Sequence, residues 1–238
     1  MTSNRDYYNA FAEGYDARRN AGYHKLIDDQ AAEIVRRYGE GKELLEVGCG
    51  TGLILQRTAR FAARAQGVDL SPGMLEHARR RGLDVREGEA GKLPFPDASF
   101  DVAYSFKVLA HVPEFEQALL EMQRVVRPGG HLIFDVYNRR SLRYLTKHLF
   151  GPRKTSQRYD EHAIPTRFLT REEAIACFPA GTQLAAEAGI RTALPAPFIL
   201  RIPLLKQILE SFEWGLMDSR ASRYAGFLVF VLQKDPLT

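Results

Sequence analysis

Leu44-Leu45-Glu46-Val47-Gly48-Cys49-Gly50-Thr51-Gly52 decides how the rest of this chain is read. An apolar run of strand character breaks into three glycines at alternate positions, and Leu53-Ile54-Leu55-Gln56 then resumes as a helix. Strand, glycine turn and helix make a nucleotide cradle. Glycine lets the backbone take positive φ and approach a ligand closely, and the helix start offers free N–H groups. Glycine spacing alone is a weak signal, so the neighbours decide. Beyond Gly52, Ala65-Gln66-Gly67-Val68-Asp69-Leu70 reads as a second short strand ending in a carboxylate, where a parallel sheet places an acceptor for ribose hydroxyls. Glu46 discriminates among adenosine ligands. A dinucleotide fold wants an apolar residue at that position, because a carboxylate repels an anionic pyrophosphate. A ligand with an ammonium group and no phosphate suits Glu46.

These residues resemble the class I S-adenosylmethionine-dependent methyltransferases, and within them the small-molecule branch called type 11. The resemblance runs from Leu44 to about Val136. Besides the glycine stretch, Val68-Asp69-Leu70-Ser71, Gly88-Glu89-Ala90, Leu93-Pro94-Phe95, Ser99-Phe100-Asp101-Val102 and Arg127-Pro128-Gly129-Gly130 follow the family's order. It implies S-adenosyl-L-methionine as cofactor and an α/β fold. That fold is a Rossmann-like, doubly wound, seven-stranded, mostly parallel sheet with helices on both faces. It also implies cofactor contacts at Glu46, Gly48, Cys49, Gly50, Gly52, Asp69, Leu70 and Met74. Glu89 and Ala90 would lie at the adenine, and Ser105 and Phe106, with Lys107, beside the reacting sulfur. The family's commoner residue at position 89 is aspartate, so Glu89 is one methylene longer. Phe11-Ala12-Glu13-Gly14-Tyr15-Asp16 resembles the family's N-terminal lid, whose tyrosine, here Tyr15, closes over a sulfonium with cation–π attraction.

The 238 residues suit one domain with a well-filled core, and 45% hydrophobic with 26% charged residues is a globular composition. No run of eighteen apolar residues and no apolar signal core follow Met1, so a cytoplasmic protein is expected. Cys49 and Cys177 are the only cysteines and offer neither a disulfide framework nor metal-ligand spacing, so no metal is expected.

In chain order, residues 1–40 read as a helical lid, with Leu26, Ile27, Ala31, Ile34 and Val35 as a second apolar stripe. Residues 41–137 are the cofactor core. Within it Ser71-Pro72 starts a helix ending at Gly82, Leu83–Glu87 is a third strand and Phe100–Ser105 a fourth. Phe115, Ala118, Leu119, Met122, Val125 and Val126 form a helical stripe, and Leu132–Val136 is a fifth strand. His111-Val112 resembles the family's histidine-valine signature. A lone histidine beside an apolar stretch is more often a packing residue than a base, so His111 is a weak catalytic candidate and no catalytic residue is assigned.

Two interruptions, 138–168 and 195–224, read as cap insertions over the site. Between them a capping box at Thr170-Arg171-Glu172-Glu173 opens a helix reaching about Ala188, Gly189–Leu194 is a sixth strand, and Gly226–Val231 closes the sheet as a seventh. From Arg139 to Arg171 nine basic residues face two acids, a net of +7 against +4 for the whole chain. With Leu142, Leu145 and Leu149 between these charges, the cap suits an anionic or amphipathic small-molecule substrate, with peripheral membrane contact as a further reading. A solvated basic face over ordinary core is the plainer one.

The function expected is methyl transfer to a small molecule, in which positioning of the nucleophile does most of the work and a general base is optional. A non-catalytic S-adenosylmethionine-binding partner protein stays open as the alternative of a different class. A nicotinamide enzyme is disfavoured by Glu46. Nucleic-acid methylation is disfavoured by the modest +4 charge and by Ser105-Phe106-Lys107-Val108, which stands in place of an Asn-Pro-Pro-Tyr or Asp-Pro-Pro-Tyr signature. Substrate identity and oligomeric state are not legible.

Overall fold

The computed structural model describes residues 9, 12, 16, 22–145, 166–193 and 203–236. Eight strands form one sheet: β1 (Glu43–Val47), β2 (Arg64–Asp69), β3 (Asp84–Glu87), β4 (Phe100–Ser105), β5 (Val126–Asn138), β6 (Phe168–Leu169), β7 (Thr182–Ile190) and β8 (Phe227–Lys234). The order is β3-β2-β1-β4-β5-β8-β7, with two-residue β6 pairing β5 off this path. Strands β1 to β5 pair in parallel, whereas β8 is antiparallel to both β5 and β7. Seven strands are present as expected, six of them near the expected positions, and the short β6 adds an eighth at the end of the first interruption.

Side chains alternate across the parallel strands, which are buried on both faces. Leu44, Val102, Tyr104 and Ile133 pack with helix α1 (Gly22–Gly39), which turns Leu26, Ile27, Ala31, Ile34 and Val35 to the sheet. Leu45, Val47, Ala103, Leu132 and Phe134 point the other way, under Phe115, Ala118, Leu119 and Met122 of α4 (Phe115–Val125). Two short helices, α2 (Leu55–Thr58) and α3 (Pro72–Arg80), follow β1 and β2. Ser71 caps α3 by accepting from Met74 N at 3.2 Å, with Pro72 at the first helical position.

One expectation fails. The helix opened by Thr170 does not reach Ala188: α5 (Arg171–Ala176) is short, and Thr182–Ile190, not 189–194, is the strand. The capping box is present, with Thr170 Oγ1 accepting from Glu173 N and Glu173 accepting from Thr170 N. The helix ends because Pro179 cannot continue the amide ladder and Gly181 turns the chain at φ +76°. Leu184-Ala185-Ala186-Glu187-Ala188 has helical propensity, yet the ladder from Thr182 opposite Lys234 to Ile190 opposite Phe227 outweighs it. The second interruption holds α6 (Pro203–Leu216), and Gln30 Nε2 ties α1 to it by donating to Glu213 O at 3.1 Å.

Phe134 sits fully buried among Phe115, Phe178 and Phe230, with ring centroids 5.8–6.2 Å away. Truncating it removes aromatic contacts on the helix α4 side of the sheet and leaves a cavity. Phe134→Ala is therefore expected to lower unfolding stability by about 3–5 kcal/mol in urea titrations; a loss below about 1 kcal/mol would show that the neighbouring rings close the gap.

Candidate active site

The order of strands reverses between β1 and β4, and in such sheets the crevice outside the carboxyl ends of the strands receives ligands. A cavity of about 830 Å³ lies there. Its floor is the glycine turn. Gly48 N and Cys49 N both donate to Val68 O, at 2.7 and 3.0 Å, and Gly50 N donates to Asp69 Oδ2 at 2.8 Å. Gly48 takes φ +77°, and a Cβ there would stand 2.4 Å from Val108 Cγ2, so the turn and the loop after β4 close up only around glycine.

Asp69 is braced from two sides, since Ser71 N donates to Oδ1 at 2.9 Å while Gly50 N holds Oδ2. Burial raises its carboxyl pKa, and these amide bonds oppose the shift. Each oxygen keeps a second lone pair, which leaves the carboxylate able to accept from a hydroxyl pair. Leu70 and Met74 supply apolar wall beside it, and Glu87, Gly88, Glu89 and Ala90 form the next edge. Glu46, the last of the β1 carboxylates, is 2% exposed and lines the opposite end. Burial pushes its pKa well above the usual carboxylate range, against the pull of Lys107. Its one bond among the described residues is long, from Tyr104 Oη at 3.4 Å, and Tyr104 Oη lies closer, at 2.6 Å, to Thr58 Oγ1.

Glu46, Gly48, Cys49, Gly50, Asp69, Leu70, Met74, Glu89, Ala90, Phe106 and His111 all line this cavity. Two expected residues do not. Ser105 is fully buried and donates to Val47 O at 2.8 Å, so it stitches β4 to β1. Gly52 serves packing: a Cβ there would lie 2.3 Å from Leu83 Cδ1 and 3.3 Å from Ala78 Cβ. Tyr15 lies outside the described residues. Its neighbour Asp16 accepts from Thr51 Oγ1 at 2.7 Å and from Arg81 Nη2 at 2.5 Å, and Asn9 Oδ1 accepts from Gly73 N at 3.0 Å, so Asp16 is tied to the glycine turn and Asn9 to the start of α3.

His111 stands on the cavity wall with its Nε2 3.4 Å from Tyr137 Oη and its Nδ1 3.5 Å from Thr166 Oγ1, its ring edge-on to that of Tyr137. Asp28 was missed from the sequence. It also lines the cavity, and the signal was available: Asp28, Ala31 and Val35 share the buried face of α1, where a lone carboxylate needs a reason. Lys107, at φ +63°, donates from its backbone N to Asp135 Oδ1 at 2.8 Å and from Nζ to Asp28 Oδ1 at 2.5 Å.

Four of the basic residues between Arg139 and Arg171 pair with acids that lie outside that segment. Arg139 pairs with Glu173, Arg140 with Glu172, Arg167 with Glu116 and Arg171 with Glu187. No described residue of either insertion lines the cavity.

The chemistry of the cavity's lining fits S-adenosylmethionine. Glu46, Asp69 and Glu89 can accept from hydroxyl, amino and ammonium donors, and Lys92 and Lys107 are the only lysines or arginines among the described lining residues. Residues 45–134 match the methyltransferase domain family. Over 157 residues the chain is 34% identical to the malonyl-[acyl-carrier protein] O-methyltransferase of Serratia marcescens, covering 61% of this chain and 60% of that protein. It is 36% identical over 113 residues to the ubiquinone biosynthesis O-methyltransferase of Alkalilimnicola ehrlichii, covering 44% and 46%. The matches thus span less than two thirds of these relatives. A crystal structure of an S-adenosylmethionine-dependent methyltransferase from Thermotoga maritima superposes with TM-score 0.71 over 96% of this chain and 98% of that one, at 23% identity, a likeness of fold.

Asp135, 2% exposed on β5, has its carboxyl pKa pushed up to about 7 by burial, with the Lys107 N–H opposing. The folded chain therefore holds this proton up to about pH 7, while the unfolded chain releases it near pH 4, so the group removes stability as pH rises between those values. Asp135→Asn can still accept from Lys107 N. Its stability relative to the natural chain is expected to rise by roughly 3–4 kcal/mol at most from about pH 4 to pH 8 in urea titrations. Parallel curves for the two proteins would contradict the assignment.

Proposed function

We propose that this chain, whose residues 45–134 belong to the methyltransferase domain family, transfers the methyl group of S-adenosylmethionine to a small molecule. The observation that carries this reading is the pairing of a glycine turn braced by Asp69 with the buried carboxylate of Glu46 in one cavity. A close-packed glycine turn beside carboxylates, rather than beside a cluster of basic side chains, suits an adenosine whose tail is cationic.

S-adenosylmethionine, when bound, supplies a methyl group already activated on a sulfonium. The chain's own part is placement. Asp69 would accept from the ribose hydroxyls, Glu89 would reach the adenine amino group, and Leu70 and Met74 would cover the ring. Phe106, following β4, would pack beside the reacting end and keep water out. Holding a nucleophile in line contributes on the order of 7–11 kcal/mol to such a reaction. Where that nucleophile carries a proton, His111 is the imidazole on the cavity wall among the described residues, its ring held by Tyr137 and Thr166. Residues 41–137 serve as the cofactor core, with helix α1 packed against its sheet, while no described residue of 138–168 or 195–224 lines the cavity. An anionic or amphipathic substrate draws support from exposed Leu142 and Leu145 near the basic segment, while the four paired arginines weigh against a strong anion preference.

Incubating the protein with methyl-labelled cofactor and a small-molecule extract, then searching for labelled products by mass spectrometry, tests the activity. A labelled low-mass product absent from the Asp69→Ala control is expected; label confined to nucleic acid or protein would overturn the small-molecule reading. Asp69→Ala should also weaken S-adenosylhomocysteine binding at least about tenfold, from the loss of charge-assisted hydrogen bonds to the ribose.

A further inference from the structure

Resting on the cofactor reading above, we infer that Asp28, on helix α1, is a second carboxylate for the cofactor's methionine ammonium, which it receives together with Glu46 in exchange for the internal cation Lys107. Asp28 is 1% exposed, lines the cavity, and has one oxygen, Oδ2, buried with no hydrogen-bond partner among the described residues. Its other oxygen takes the Lys107 ammonium at 2.5 Å. A buried carboxylate oxygen left unmet is costly and calls for a donor.

Glu46 presents the same need from the sheet. It is buried, faces the same cavity, and has only the 3.4 Å contact from Tyr104 among the described residues. Asp28 and Lys107 both lie close enough to bias its ionisation, in opposite directions, so the three groups share one end of the cavity. Asp28 takes the Lys107 ammonium, Asp135 takes the Lys107 backbone N–H, and Glu46 lines the same cavity end. Asp28 and Glu46 thus share one internal cation, and a ligand ammonium would supply a second. Lys107 holds φ +63°, a conformation uncommon outside glycine, and is fixed there by Asp135 from β5 and Asp28 from α1. The loop after β4 and the helix after the N-terminal segment thus meet at the atoms that the ligand would engage.

Calorimetric titration separates this role from a packing role. The probes are S-adenosylhomocysteine and S-adenosyl-4-thiobutyrate, which keeps the carboxylate and lacks the amine. Asp28→Asn and Glu46→Gln are each expected to weaken S-adenosylhomocysteine by about tenfold and to leave the deaminated probe unchanged. Lys107→Gln removes the internal competitor and should tighten S-adenosylhomocysteine relative to the deaminated probe, which keeps the question answerable should Asp28→Asn fold poorly. Equal losses for both probes in Asp28→Asn, or equal losses in Lys107→Gln, would overturn the ammonium role and leave the pair as a clasp between α1 and β4. If the unaltered protein binds neither probe, the cofactor reading itself fails, a result distinct from equal losses in the variants.

Discussion

The carboxylate of Asp69 holding Gly50 N is the contact on which the site depends. Together with the two amides that converge on Val68 O, it fastens the end of β1 to the end of β2 and fixes the turn where the sheet reverses direction. Only glycine permits the closeness. A side chain at Gly48 would collide with Val108, and one at Gly52 with Leu83, so the turn is seated by the loop after β4 on one side and by α3 with its C-terminal turn on the other. Remove that bracing and the cavity loses its floor, whatever the sheet behind it does.

A second constraint is electrostatic. Glu46, Asp69 and Asp135 all have raised pKa values because they are taken out of water, and each shift measures free energy spent on keeping a carboxylate where solvent cannot serve it. Cores seldom retain such groups without a partner. Amides partly meet the need at Asp69 and Asp135, whereas Glu46 and Asp28 line one cavity, and Asp28 Oδ2 has no partner among the described residues. The sheet tolerates this because its two apolar layers, one under α1 and one under α4, are filled on both sides of the same strands.

The parallel half was legible because local and long-range signals agreed there. Glycines at alternate positions, Ser71-Pro72 at a helix start and the stripe from Phe115 to Val125 each have one reading, and each is where it should be. The antiparallel half was harder. Thr182–Ile190 carries alanines and a glutamate that favour helix, and its strand state comes from β8, a partner almost fifty residues away in sequence. Within the site, most motif residues line the cavity, while Ser105 turns its hydroxyl to Val47 O, a direction that the sequence of a β4 terminus does not reveal. Asp28 lies within an apolar stripe, where only its charge marks it, and four arginines of the basic segment meet Glu116, Glu172, Glu173 and Glu187, acids that lie outside that segment.

The central claim is that the braced glycine turn and the buried Glu46 select an adenosine with a cationic tail over a dinucleotide with an anionic centre. Calorimetric titration of the unaltered chain with S-adenosylmethionine and, separately, with NAD tests it most directly. One-site binding of S-adenosylmethionine with no heat from NAD is expected, and binding of NAD with no heat from S-adenosylmethionine would contradict it.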